Sequence, residues 1–366
     1  MNQLNIKELL DKFKRKPNDV VGIDIGSTSI KIVRMKKISE TETIITAVDV
    51  IPPPVIQVTE PLAPAAAPVG KKEQTDTVAA LPTFNVTPIE LPARIRGKYA
   101  AFTVTGNSAV VKLVSLPGAF DAAAEEKVIS SLGLDDPNLY RIGYKILVEG
   151  HGKNETKVLA VALPERDAII APMLTPAGLP APFSIEVAGL ATLTSFMTTA
   201  AIQHAEEAIG VLEFETTTTT YAIFNKGVLS LIRRFDFGTA TIIEKVQEAL
   251  GVDQETAQGI IADGAFDISQ AISDVMDPFI KQLTVSKDFI ERRENCHVLK
   301  MYIAGGLVVS RDAIAELNSA MGIEILTWNP FAGLNMAPDA MDEKFKGQEW
   351  RFAAALGACL ATFEET

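Results

Sequence analysis

The chain has 366 residues, 47% hydrophobic and 22% charged, with a formal net charge of −12. At roughly 150 residues per domain this length implies two or three domains, and the acidic balance gives counterion-release binding of DNA or RNA no electrostatic footing. Cys296 and Cys359, with three histidines in the whole chain, supply neither a disulfide framework nor zinc-ligand spacing.

Residues 1–17 carry Lys7, Lys12, Lys14, Arg15 and Lys16 and no uninterrupted apolar run, so they are not a signal peptide and a cytoplasmic location is expected. Leu4, Ile6, Leu9, Leu10 and Phe13 among the lysines read either as a short membrane-surface helix or as an N-terminal helix packed on a lobe. A β-branched run at 20–25, the turn Gly26-Ser27-Thr28, and runs at 30–35 and 43–51 predict three strands. The Pro- and Ala-rich stretch 52–98 has little to pack and is expected to be a mobile insertion. Strands at 99–116, broken at Gly106-Asn107, a helix at 122–132, and strands at 140–148 and 157–163 predict a small α+β subdomain. The uncharged stretches 168–185 and 187–205 approach membrane-spanning length, but Pro172, Pro176, Pro180 and Pro182 break the first and hydroxyls dilute the second.

After a helix at 188–208 the opening pattern recurs. An apolar run at 209–214, a connection at 215–219, a strand at 220–224, the turn Asn225-Lys226-Gly227 and a strand at 228–235 repeat the spacing of the first unit, with Asp24 and Glu213 ending the first strand of each copy. Helices are expected at 240–250, 253–262, 268–294, 311–320 and 350–362, and a buried strand at 299–303 runs into Gly305-Gly306. The histidines His151, His204 and His297 are scattered and read as solvated or packed.

The chemistry concentrates at 22–31. An acid ends a strand, and Gly26, Ser27, Thr28 and Ser29 open a tight hydroxyl-rich turn. Backbone N–H groups and hydroxyls in such a turn cradle phosphate, Asp24 can hold magnesium through water, and Lys31 adds positive charge; a plain β-hairpin has the same letters. Gly305 and Gly306, at a strand-to-helix junction, let a backbone approach an adenine or ribose closely.

Taken in order, the Asp24–Lys31 hairpin, its repeat and the Gly-Gly junction resemble the actin, Hsp70 and sugar-kinase superfamily. With Ala177-Gly178-Leu179, Glu186, Asn329-Pro330-Phe331 and the closing run 352–357, the chain resembles the PilM family of type IV pilus assembly proteins over nearly its whole length. The resemblance implies an α/β, two-lobed actin-like (duplicated ribonuclease H-like) fold with a small α+β subdomain set into the first lobe. The expected map is 1–17 as N-terminal segment, 18–51 and 181–208 as first lobe, 52–98 as insertion, 99–180 as subdomain, 209–349 as second lobe, and 350–366 as a helix returning to the first.

It also implies ATP and magnesium at Asp24, Gly26, Ser27, Thr28, Ser29, Lys31, Gly305 and Gly306. The chain departs from the family there. Glu213, Phe214 and Glu215 stand where the family reads Asp-Ile-Gly, and Ala257, Gln258 and Ile261 where it reads Ala-Glu-x-x-Lys. Glu215 would add a Cβ at a position suited to positive φ, and each carboxylate–phosphate pair at ~4 Å costs on the order of 1 to 4 kcal/mol. The resemblance therefore implies a scaffold with a degenerate nucleotide site and little or no ATPase activity. It implies a partner too: the cytoplasmic tail of a PilN-like inner-membrane protein, through which the chain would be peripheral to that membrane. The alternatives are an active ATP-driven switch, a sugar kinase, for which no sugar-site signature is present, and an FtsA-like filament former.

Overall fold

The structure, a computed structural model, describes residues 17–59, 83–152, 154–175, 178, 180–264 and 266–364. The expected N-terminal helix, the middle of the expected insertion, and Ala177 and Leu179 lie outside the described residues.

Strands β1 (Asp19–Ile25), β2 (Ile30–Lys37) and β3 (Thr43–Ile51) form an antiparallel meander. β4 (Ile56–Thr59) and β5 (Thr83–Val86) pair with each other, and β6 (Tyr99–Val104) lies parallel to β1. The small subdomain follows: β7 (Val110–Pro117), α1 (Ala122–Ser131), β8 (Tyr140–Val148) and β9 (Glu155–Pro164), with sheet order β7-β9-β8. α2 (Glu165–Met173), β10 (Ala181–Val187) and α3 (Ala188–Thr199) return to the first lobe. The second lobe contains β11 (Ala208–Phe214), β12 (Thr219–Asn225), β13 (Val228–Phe235), α4 (Thr239–Leu250), α5 (Gln254–Asp263), α6 (Ser269–Glu294), β14 (Val298–Gly305), α7 (Arg311–Met321) and β15 (Glu324–Thr327). β16 (Asn335–Met336) and α8 (Ala353–Glu364) go back to the first.

The two main sheets are ordered β10-β6-β1-β2-β3-β16 and β13-β12-β11-β14-β15. In each, the first strand of a meander has an antiparallel neighbour on one side and a parallel one, β6 or β14, on the other. The duplication expected from the sequence is thus a duplication of topology. It places Asp24 beside Thr103 of β6 and Glu213 beside Ala304 of β14.

Three expected borders shift. Tyr99–Val104 is not part of the small subdomain: four of its residues, from Ala100 to Thr103, are buried between β1 and β10, the environment of an interior parallel strand. The ends of the expected insertion are built into the protein, because β4 pairs with β5 and Ile89, Leu91 and Ile95 are buried in the first lobe's core. The second lobe ends before 349, since β16 extends β3 and Phe331, Ala340 and Phe345 pack into the first lobe with Phe352. The subdomain docks on the second lobe, where Val111, Leu113, Leu147 and Leu159 meet Ile209, Val211, Phe224, Leu229 and Ile232. Among the described residues no helix is long and apolar enough to cross a membrane.

The lobes are joined through α3 and α8. Ten residues of α8 are buried, and its small side chains let it touch both β1 and α3 at backbone distance. A Cβ on Gly357 would collide with the Ala191 carbonyl of α3, and one on Gly22 with the Ala355 carbonyl of α8. Gly357→Val should therefore force the helices apart and cost at least about 1–3 kcal/mol, read as a lower Tm or insoluble expression. Gly259→Ala in α5, where a new Cβ meets nothing within 4 Å, should instead be neutral or stabilise by about 0.5–1 kcal/mol.

Candidate functional site

A cleft of ≈ 420 Å³ lies between the lobes, and the residues singled out in the sequence converge on it. Asp24, Gly26, Thr28, Ser29 and Lys31 line it from the first hairpin, Glu213 and Glu215 from the second, Gln258 and Ile261 from α5, and Gly305 and Gly306 from the end of β14. Ser27 is the exception. It lies at the rim, where its Oγ donates to Thr216 Oγ1 at 2.7 Å, so the two hairpins touch tip to tip.

The first hairpin is closed by its own hydrogen bonds. Gly26 N–H donates to the Asp24 carbonyl at 3.2 Å, and a Cβ at Gly26 would stand 2.7 Å from Lys31 Nζ. Asp24 accepts from Thr103 Oγ1 at 2.8 Å and pairs with Lys31 at 3.3 Å. The cation expected to face phosphate is thus already neutralised by the acid expected to face magnesium.

The second hairpin turns without a glycine. Glu215 N–H donates to the Thr218 carbonyl at 2.9 Å, and Glu215 is not among the residues with positive φ. The expectation of backbone strain there is corrected: Lys226 and Asn295 are the non-glycine residues at positive φ among those described. What Glu215 changes is electrostatics. Burial, then the charge of Asp24, pushes the Glu213 carboxyl up to about 7. Burial, then Glu213 and Asp24, holds Glu215 well above the ordinary carboxylate range. As two carboxylates the pair is unsatisfied, Glu213 Oε2 and both Glu215 oxygens having no donor. A single proton lets one carboxyl hydrogen-bond the other.

The repulsion expected of Glu215 is therefore reduced, because burial favours its protonated form.

Gly305 (φ +84°) and Gly306 are close-approach positions within the lobe itself. A Cβ there would run into the Phe214 carbonyl of β11, and one on Gly306 would stand 2.6 Å from Thr239 Cγ2. Both glycines are required by packing within the lobe, whether or not a base lies against them.

Two arginines were not legible in the sequence. Arg234, at the end of β13, is half-buried and donates to the carbonyls of Gly106 (2.7 Å), Ala109 (3.0 Å) and Thr105 (2.8 Å), the link from β6 to the small subdomain. Burial lowers its pKa, against the charges of Glu215, Glu213 and Asp236. Arg351 lines the cleft just before α8, with Nη1 donating to Gln348 Oε1 at 2.9 Å and no ion pair among the described residues. Both come from distant segments with no local motif. Elsewhere, His204 is packed as expected, bonded to Glu207 and Tyr302 at 2.7 Å each. Among the described residues no group of acids, histidines and cysteines is arranged to hold a metal directly.

A family model for the type IV pilus assembly protein PilM matches residues 173–363, just over half of the chain. The chain belongs to this family. The match spans the second hairpin, the Gly-Gly junction and α8. Among solved structures, a PilM-PilN type IV pilus biogenesis complex superposes with a TM-score of 0.69 at 16% identity, covering 94% of this chain and 98% of that one. An archaeal actin homolog matches at TM-score 0.42 and 13% identity (95% and 100% covered). An activator of 2-hydroxyisocaproyl-CoA dehydratase from Clostridium difficile, with bound ADPNP, matches at 0.36 and 14% (95% of each chain). No curated protein sequence matches. The duplicated sheets, with the match to the PilM-PilN structure, give this PilM-family chain the two-lobed actin-like fold.

The acid pair also has a stability consequence. Unfolded, its carboxyls titrate near 4.5, whereas folded Glu213 titrates at about 7 and Glu215 is also raised. Across that window the folded chain holds protons the unfolded chain has lost, so the pair's contribution to stability is greatest below about 4.5 and declines as pH rises through about 7. Glu213→Gln should flatten this decline and raise Tm at pH 8 by about 2–5 °C, measured by calorimetry from pH 5 to 8.

Proposed function

We propose that this type IV pilus assembly protein is a scaffold with a degenerate nucleotide site, and that it holds the cytoplasmic tail of a PilN-like inner-membrane protein. The observation that carries the degenerate site is the buried Glu213–Glu215 pair, set across from Asp24 where the actin-like fold receives phosphate. Fitted against these residues, ATP is accommodated in one half only. The apolar wall of Ile242, Ile243, Ile261 and Leu307 suits a base. The other half offers Lys31, already paired, and an acid pair without donors. The Ser27–Thr216 bond joins the lobes across the mouth.

The partner is supported by the similarity to a PilM-PilN complex over 94% of the chain. Through that partner the protein would sit at the inner membrane from the cytoplasmic side.

Calorimetric titration with magnesium-ATP, combined with phosphate release, should show weak or no binding and little turnover. Residual binding should strengthen as pH falls from 8 to 6, because an anion favours the protonated form of the pair. It should depend on the first hairpin, so that Asp24→Ala removes it. The double change Glu213→Asp with Glu215→Gly should raise affinity roughly tenfold or more. A PilN-like tail peptide should bind with and without nucleotide. Micromolar ATP binding with steady turnover in the unaltered protein would instead establish an ATP-driven switch.

A further inference from the structure

The second lobe carries an outer face that neither the cleft nor the fold employs. Helix α6 buries one side, with Ile272, Met276, Phe279, Ile280, Leu283 and Ile290 in the lobe's core. Its hydrophobic requirement is met there. Yet Val285 and Phe289, one turn apart on the outside, are 66% and 55% exposed. They border a shallow recess of ≈ 510 Å³ completed by Asp288, Arg292 and Arg293.

The rim is basic. The Arg293 guanidinium stands 5.9 Å from the centre of the Phe289 ring, and neither Arg292 nor Arg293 forms an ion pair among the described residues. Arg233 reaches from the edge strand β13 to donate to Ser286 Oγ at 2.8 Å, adding a third cation beside the same face. The nearby acids are engaged: Asp288 and Glu291 both pair with Lys287, at 3.5 and 3.1 Å. On a chain of net charge −12, this is a local cationic field around two apolar anchors.

We propose that this stripe of α6 is a docking surface for a protein partner presenting an acidic amphipathic helix. Apolar residues of that helix would cover Val285 and Phe289, and its carboxylates would meet Arg292, Arg293 and Arg233. Charge decides among occupants. A second copy meeting this face symmetrically would set arginines against arginines. An anionic membrane would repel the rest of the acidic chain. A small acidic helix avoids both penalties, and the site is separate from the cleft, so it does not depend on what the cleft binds.

The test places a photo-crosslinking residue at this face, Val285→p-benzoylphenylalanine, in the full chain in its native cells, and identifies the adduct by mass spectrometry. The expected adduct is a segment of another protein with net negative charge and apolar residues at helical spacing. A synthetic peptide of that segment should bind the purified full chain. Phe289→Ala, or Arg292→Glu with Arg293→Glu, should weaken it roughly tenfold or more with Tm unchanged, and raised salt should weaken it further. A crosslink to a second copy, to phospholipid or to a segment without net negative charge would overturn the proposal. So would the absence of any crosslink, or a peptide affinity indifferent to both variants.

Discussion

The architecture depends on how closely α3 and α8 approach. A protein of two lobes needs a joint that is compact and incompressible, and here Gly357 on one helix lies against the Ala191 backbone of the other. The same smallness serves two neighbours at once. Gly22 lets the Ala355 carbonyl lie against β1, and Gly189 lets Thr220 of the second lobe lie against α3, where a Cβ would overlap its hydroxyl. Larger side chains at these points would fill the volume that brings the hairpins of the two lobes into register, because packed interiors transmit volume changes rather than absorb them.

With the hairpins so placed, three acids and two cations line one cleft, and a third cation, Arg234, interacts with two of the acids. They are not paired one to one. Lys31 is spent on Asp24, Arg234 on carbonyls leading to the small subdomain, and Arg351 on Gln348. Glu213 and Glu215 are left with each other, and burial supplies what a counterion does not, a proton. Arg234 feels both carboxyls while holding Thr105, Gly106 and Ala109, so the charge state of the cleft and the position of the subdomain share one side chain.

The strand repeat, most helices, the Gly-Gly junction and the acids at both strand ends were legible because each is a local pattern of alternation, periodicity or turn chemistry. The borders were less so. Residues 99–104 read as part of a subdomain because the next strand follows within a few residues, yet β6 and β7 belong to different sheets. Phe331 and Phe345 are apolar residues in irregular chain, and no periodicity reveals which lobe they complete.

By itself, then, the sequence determined the duplicated strand pattern, the order of hairpin, repeat and junction, and the presence of acids at 24, 213 and 215. Tertiary structure alone decided that Glu215 keeps ordinary backbone geometry, that Glu213 and Glu215 are buried against each other, that Arg351 lines their cleft, and that Arg234 lies close enough to feel both carboxyls. Local patterns follow from interactions between residues a few positions apart. A shifted pKa follows from desolvation and from charges brought together across the fold, and these exist only once both lobes have closed around them.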